Sequence, residues 1–264
     1  MSDSGAVSGD VSHLLGIRPD NVLLELSSRC NLRCIYCAVS QPDYVGLDLE
    51  LDRQRIVDEI VALGPLEFQI SGHGETSLVK GWEQLAWALL ERGVALTMIS
   101  HLNKEMSEDE IAVLARLKFL TVSCDTPDAD LYRKLRRGGR QERVTANIRR
   151  IMQLCERDGL PRTHVAINCT ATHLAILGVP DLVEWAADLG CASVALTNLV
   201  EYPEIPGVEK PLHPTKVDPV GALEAVRRGR AIAQARGLEY YPMGDLEASL
   251  EVAARERLAT CPSA

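Results

Sequence analysis

The chain has 264 residues, enough for one large domain or two small ones with a sizeable buried core. Hydrophobic residues make up 46% of it and charged residues 25%, values that argue against wholesale disorder and against a coiled coil. The formal net charge of −9 repels polyanions, so we expect no nucleic acid and no acidic membrane as partner, and a small neutral or cationic partner instead.

Strands and helices are predicted to alternate in units of roughly 25 to 35 residues, the size of a strand–helix repeat. The first strand is expected at 22–27, and Asp52 is expected to cap a helix that ends at Gly64-Pro65. Further strands are predicted at 66–71, 94–100, 118–124, 163–170 and 192–198. Further helices are predicted at 81–92, 107–117, 180–189, 220–236 and 245–258, with two helical stretches around Gly138-Gly139.

This alternation predicts a parallel sheet with right-handed crossovers and helices on the outside. Six units are too few to close an eightfold barrel, so the expected fold class is α/β, a partial (β/α)6 TIM-like barrel. Residues 21–240 would form this core, after a flexible segment of residues 1–20 and before a helical tail of residues 241–264. Ligands of such sheets bind at the C-terminal ends of the strands.

The cysteines are informative through their spacing. No stretch of the sequence approaches the roughly 20 apolar residues of a membrane span, and the first twenty residues lack the features of a signal peptide. We therefore expect a cytoplasmic protein, in which cysteines remain thiols. Three of the eight fall close together and the others are scattered singly; the three are Cys30, Cys34 and Cys37.

The loop CNLRCIYC after the first strand places these three thiols where they could bind one metal centre from a single side. An iron–sulfur cubane usually takes four cysteines, so three would leave one iron open to a chelating small molecule. Two other interpretations stay open. A thioredoxin-like dithiol of Cys34 and Cys37 would not need Cys30, and a zinc site completed by His73 would lack the paired knuckles that structural zinc prefers.

The C-x3-C-x2-C spacing, with Tyr36 before the last cysteine, resembles the radical S-adenosylmethionine (radical SAM) superfamily over roughly residues 20–200. The resemblance implies that Cys30, Cys34 and Cys37 hold a [4Fe-4S] cluster, that SAM chelates its fourth iron, and that Tyr36 belongs to the cofactor site. Electron transfer would cleave the sulfonium, and the resulting 5′-deoxyadenosyl radical would abstract a hydrogen atom from the substrate. The electron would come from a one-electron reductant such as flavodoxin or ferredoxin.

The segment SGHGET after the second strand resembles the family's Gly-Gly-Glu-Pro motif, which binds the amino group of SAM. It departs from that motif in having His73 where the second glycine usually lies and Thr76 where the proline does. The resemblance implies that Gly72, His73, Gly74 and Glu75 contact SAM. An ordinary strand-to-helix turn is the alternative interpretation.

Two further segments resemble SAM-binding parts of the family. TVSCDTPD matches its Ser-x-Asp segment, which implies that Ser123 contacts the ribose and that Asp125 lines the pocket, although Asp125 could instead cap the next helix. LYRKLRRGG matches its arginine–glycine segment, whose arginine pairs with the SAM carboxylate. We expect Arg137 in that role, with Arg136 as the alternative, and either could simply be a solvated cation at a helix end.

Polar residues on or just beyond other strands are further candidates for the cofactor site, and each could equally be a satisfied polar group of a loop or of the core. They are Ser100, Asn103, Asn168 and Asn198. Near the C-terminus, Cys261-Pro262 resembles the start of a SPASM or twitch extension, in which further cysteines bind auxiliary clusters. We expect a truncated or vestigial extension there.

Together these motifs predict a radical SAM enzyme that abstracts a hydrogen atom from a small metabolite, such as a sugar, nucleoside or amino acid, or from a peptide. The alternative from another class of protein is a zinc-binding or metal-sensing module that uses the same scaffold without turnover. No motif shared across the family identifies the substrate, so the sequence leaves the hydrogen that is abstracted open.

Overall fold

The fold is described from a computed structural model, in which residues 18–50, 52–160 and 164–260 are described. Most of the predicted flexible segment at the N-terminus therefore lies outside the described residues. Cys261, with the expected start of an extension, lies outside them as well, and so does the predicted first residue of the fifth strand.

The described residues form nine strands in two sheets, of which the larger has seven parallel strands arranged in chain order. The strands are β1 (Asn21–Leu24), β2 (Arg33–Cys34), β3 (Glu67–Ile70), β4 (Leu96–Ser100), β5 (Phe119–Ser123), β6 (Arg136–Arg137), β7 (His164–Ala171), β8 (Ser193–Asn198) and β9 (Glu239–Pro242). The two shortest, β2 and β6, pair antiparallel as a separate sheet. The predicted α/β partial barrel with parallel strands is confirmed, and all six predicted strands are present.

The large sheet also contains a seventh strand, β9, which was not predicted. It lies beside β8, with Val194 in register with Tyr240. Its sequence is only EYYP, which is too short to show alternation between polar and apolar residues, and the segment lies between two stronger helical patterns. Because β9 ends at Pro242, the sheet extends slightly beyond the predicted limit of the core at residue 240.

Eight α-helices of the described part of the chain lie on the outer side of the sheet, close to the predicted positions. They are α1 (Arg53–Leu63), α2 (Trp82–Glu91), α3 (Glu108–Leu114), α4 (Ala129–Leu135), α5 (Gln141–Arg157), α6 (Val179–Asp188), α7 (Pro219–Arg236) and α8 (Leu246–Thr260). Short 3-10 helices lie at Ala38–Ser40, Thr76–Leu78, Ile176–Gly178 and Pro214–Lys216. Among the described residues, no helix is both long and apolar enough to cross a bilayer.

The two faces of the sheet differ because side chains alternate along a strand. On the helix side, residues such as Phe68, Ile70 and Leu120 are fully buried and form one core with the helices. On the opposite face, Ile99 of β4 remains 42% exposed, and many of its neighbours are polar. Burial of the apolar face fixes the register of the strands, so their C-terminal ends meet at one edge, called the rim below.

Candidate functional site

The cysteine loop follows β1 at the rim and rests on the corner between α4 and β6. Cys34 pairs with Arg136 in the small β2–β6 sheet, and the backbone N–H of Ile35 donates to the carbonyl of Leu135 at 3.0 Å. The N–H of Cys37 donates to the carbonyl of Cys34 at 3.1 Å, which closes a tight turn. Contacts with residues about a hundred positions away therefore hold the loop.

The three thiols differ in exposure, with Cys34 buried and the other two half-buried. Burial raises the pKa of Cys30 to about 11 and that of Cys34 to about 12, even though the nearby Arg136 charge acts in the opposite direction on Cys34. Both groups are consequently neutral thiols at physiological pH, and they would release protons on binding a metal centre.

The donor set fits an iron–sulfur cluster better than a single zinc ion. In the part of the chain that the structure describes, no three His, Cys, Asp or Glu side chains converge on a position that could hold one metal ion. The side chain of His73, the proposed fourth zinc ligand, is 65% exposed and lies 3.6 Å from Glu25. Thiolates that bind different irons of a cluster need not converge on one point, and soft sulfur ligands suit such a cluster.

The glycine loop after β3 lies directly against the segment that leads into Cys30. A Cβ atom on Gly72 would clash with the carboxylate of Glu25, and one on Gly74 would clash with the backbone of Ser27 and Arg29. The N–H of Glu75 donates to the carbonyl of Arg29 at 2.8 Å. Glycine is required here because two backbone segments approach each other, which brings the two predicted motifs together.

Glu75 itself is buried, and donors from this chain surround its carboxylate. The hydroxyls of Ser77 and Ser100 each donate to it at 2.7 Å, and the backbone N–H of His101 donates at 3.0 Å. Burial alone would raise the pKa of Glu75, but the hydrogen bonds donated by Ser77, Ser100 and the His101 backbone outweigh it and hold the pKa below its ordinary value. The hydrogen bonds of Glu75 with Ser100 and His101 thus connect the loops after β3 and β4. We call this connection the bracket, and it contains two predicted residues, Glu75 and Ser100.

His101 continues this bracket into a tight turn. Its Nδ1 accepts from the N–H of Asn103 at 2.9 Å, and its Nε2 lies 3.2 Å from the carboxylate of Glu75. Burial lowers the pKa of His101, so the ring is neutral, with its proton on the nitrogen that faces Glu75. Leu102, which lies between His101 and Asn103, has a φ of 49°. This left-handed conformation is uncommon for residues other than glycine, so the hydrogen bonds of the turn must maintain it.

Asn103, another predicted candidate, links this turn to two other rim segments. Its amide accepts from the N–H of Arg140 at 3.0 Å and donates to the carbonyl of the same residue at 2.8 Å. In return, the carbonyl of Asn103 accepts from the side chain of Asn31 in the cysteine loop at 3.3 Å. Asn103 is thus a satisfied polar group, which was the alternative interpretation of this residue.

Asp125 lies at the centre of a second buried network. Arg136 donates to it in a bidentate manner at 2.8 and 3.0 Å, the N–H of Thr170 donates at 2.9 Å, and the hydroxyl of Tyr36 donates as well. The side chains of Asp125 and Arg136 are 0% and 6% exposed. The N-cap of α4 is Asp128, so the interpretation of Asp125 as the helix cap is wrong.

The remaining predicted residues lie on the open parts of the rim. Arg137 is exposed, in contrast to the buried Arg136 beside it. Ser123 and Asn168 are half-buried neighbours on β5 and β7, and Asn168 accepts a hydrogen bond from Thr197. Ser123 and Asn168 face the uncovered side of the large sheet.

At the end of β8, the structure brings the predicted residue Asn198 together with two polar residues that the sequence did not indicate. The amide of Asn198 donates to Asp245 at 2.9 Å and lies 3.5 Å from the Nε2 atom of His213. Asp245 and His213 are absent from the predicted candidates because both lie in segments without a motif, 47 and 15 residues from Asn198.

Comparisons with known proteins give a consistent result. The sequence profile of the Radical SAM superfamily matches residues 24–181. A GTP 3′,8-cyclase of Caulobacter vibrioides is 31% identical over 179 residues, which cover 64% of this chain and 48% of that protein. A PqqA peptide cyclase of Granulibacter bethesdensis is 27% identical over 188 residues, which cover 70% of this chain and 48% of that protein. The match thus spans about half the length of these relatives.

Solved structures share the fold. Streptococcus suis SuiB bound to S-adenosylmethionine superposes with a TM-score of 0.67 at 19% identity, over 89% of this chain and 53% of that one. The enzyme anSMEcpe with bound AdoMet gives a TM-score of 0.61 at 16% identity, over 84% of this chain and 63% of that one. At these identities the similarity concerns the fold alone.

Proposed function

The chain belongs to the radical SAM superfamily, and on this premise we propose that Cys30, Cys34 and Cys37 hold a [4Fe-4S] cluster at which SAM is cleaved reductively. When bound, the cluster and SAM supply one-electron reduction of the sulfonium and abstraction of a hydrogen atom from the substrate. The observation that carries the proposal is the placement of three thiols on one loop at the rim, beside the glycine loop.

The chain's own residues would orient SAM from the exposed parts of the rim. The segment Gly72–Gly74 lies at the rim next to the chain that leads into Cys30, and Ser123 offers a hydroxyl on the uncovered side of β5. Of the two adjacent arginines, Arg137 is the one available for a carboxylate, since Arg136 is already paired with Asp125. We therefore assign the SAM carboxylate to Arg137.

For the substrate we propose a small metabolite or a peptide. The matched relatives include cyclases of a nucleotide and of a peptide, and both kinds of molecule would fit an open rim. Asn168 is a half-buried polar side chain on the uncovered side of the sheet, and Asn198 is a half-buried one at the end of β8; a ligand could replace their present contacts. The electron would come from a small redox protein such as flavodoxin or ferredoxin.

Release of 5′-deoxyadenosine tests this function. Protein reconstituted with iron and sulfide without oxygen should be brown and should form 5′-deoxyadenosine from SAM and dithionite. The Cys34→Ala variant should lose this activity, because a cluster ligand is missing. The matched control is Cys191→Ala, which removes another buried cysteine outside the loop and should retain the activity. Formation of 5′-deoxyadenosine by Cys34→Ala at the unmodified rate would refute the assignment.

A further inference from the structure

Tyr36 connects the cysteine loop to the buried ion pair. It precedes Cys37, and its hydroxyl donates to the same Asp125 oxygen that accepts from Nε of Arg136. The guanidinium of Arg136 also lies over the Tyr36 ring, 5.7 Å from its centroid. The ion pair therefore contacts the loop through a hydroxyl and through an aromatic face.

Arg136 approaches the loop from a second direction. Its backbone is paired with Cys34 in the β2–β6 sheet, while its side chain extends to Asp125 at the end of β5. A two-residue strand pair is too short to be stable alone, so the side-chain contacts have to support it. Tyr36, Asp125 and Arg136 together form what we call the loop clamp.

A buried charge pair of this kind contributes little net stability, because desolvation offsets the attraction, but its bidentate geometry restricts where both partners can lie. Asp125 is further fixed by the N–H of Thr170 on β7, which belongs to the rigid sheet. The clamp therefore fixes the position of Tyr36 relative to the sheet. The exposed ion pair of Arg133 with Asp130 on α4 has no such connection.

We propose that Arg136 and Asp125 are positioning residues that act through Tyr36 to hold the cysteine loop in one arrangement at the rim. What the loop binds rests on the proposed function, but the positioning itself concerns the protein without cofactor. Holding the thiols in place before binding lowers the ordering cost that binding would otherwise carry.

The test measures how often Cys34 becomes accessible in the protein without cofactor. Alkylation by iodoacetamide under native conditions, followed by mass spectrometry, reports Cys34 and the distant buried Cys191 in the same sample. Tyr36→Phe removes only the hydroxyl and keeps both charges. Arg136→Lys keeps the charge but cannot form the bidentate pair.

We expect Cys34 to react roughly tenfold faster in both variants, because a hydrogen bond to a charged group no longer restrains the loop, while Cys191 stays protected. The matched controls are Tyr240→Phe, whose hydroxyl bonds to Val226 on α7, and Arg133→Lys on α4. Both should leave Cys34 protected. Unchanged protection of Cys34 in Tyr36→Phe overturns the proposal. An equal increase in the alkylation rates of Cys34 and Cys191 also overturns it, because that result indicates general unfolding.

A second readout separates this proposal from the proposed function. Iron bound per chain after reconstitution at limiting iron should fall in Tyr36→Phe but not in Tyr240→Phe. If no variant and no unmodified protein binds iron while the alkylation result holds, the proposed function fails and the clamp stands. If iron binding and 5′-deoxyadenosine release are normal and Cys34 remains protected in Tyr36→Phe, the clamp fails and the function stands.

Discussion

Two sides of the rim are built in opposite ways. On the side of the cysteine loop, Glu75 and Asp125 are buried, and each carboxylate accepts hydrogen bonds from several donors of this chain. On the side of β8 and β9, Asn198 and Asp245 also bond to each other, but Asp245 is exposed and Met243 beside it is 50% exposed. Polar residues follow the strands on both sides.

The difference is one of solvation. A buried carboxylate stays charged only where fixed donors replace water, so the cysteine side is held rigidly by its own network. An exposed side chain can exchange its partners at little cost, so the β8–β9 side can adapt to a ligand. This division suits a protein whose cofactor position is fixed and whose substrate contacts vary.

The same substitution on the two sides should have very different effects on stability. Asp125→Asn leaves the Arg136 charge buried without a charged partner, and we expect the free energy of unfolding to fall by about 3 to 5 kcal/mol. Asp245→Asn removes an exposed charge and should leave the free energy of unfolding unchanged. Urea unfolding of the protein without cofactor measures both, and equal losses would contradict the contrast.

A smaller effect is expected at the bracket between the loops after β3 and β4. Glu75→Gln places an amide NH2 group where hydroxyls and a backbone N–H now donate, so the unfolding free energy should fall by about 1 to 3 kcal/mol. Hydrogen exchange should accelerate at the amides of Ser77 and His101, which now bond to the carboxylate. Unaltered protection of these amides would show that the bracket does not depend on the charge of Glu75.

The smallest effect is a pH dependence from His101. Because burial lowers its pKa, the folded protein keeps the ring neutral while the unfolded chain takes up a proton as the pH falls below about 6.5. The stability contributed by the neutral ring is therefore lost toward acid. Between about pH 7.5 and 5.5, the unmodified protein should lose more of its free energy of unfolding than His101→Gln does. Parallel pH profiles in urea unfolding would be the contrary outcome.

Local features of the sequence predicted much of this protein. The periodicity of apolar residues located six parallel strands and their helices, and the capping residue Asp52 was placed correctly. The seventh strand, β9, was not predicted because four residues are too few to show an alternation of polar and apolar side chains. The cysteine and glycine motifs were found because each is a short pattern of neighbouring residues, and close backbone approach constrains the glycines directly.

The roles of individual polar side chains depended on distant partners. Arg136 and Arg137 are identical neighbours just before a glycine pair. The sequence favoured Arg137 as the arginine that pairs with the SAM carboxylate. The β2–β6 pairing turns Arg136 inward to Asp125 and leaves Arg137 outside, a choice that no local pattern records. In the same way, Glu75 is bonded to Ser100 and His101, 25 and 26 residues further along the chain.

The sequence alone determined the α/β class, the resemblance to the radical SAM superfamily and the loop that carries three thiols, because these depend on spacing along a short stretch of chain. Only the tertiary structure decided which carboxylates and arginine are buried in fixed networks and which side chains stay open to a ligand. The physical reason is that desolvation depends on everything packed around a group, and most of those neighbours are far away in sequence.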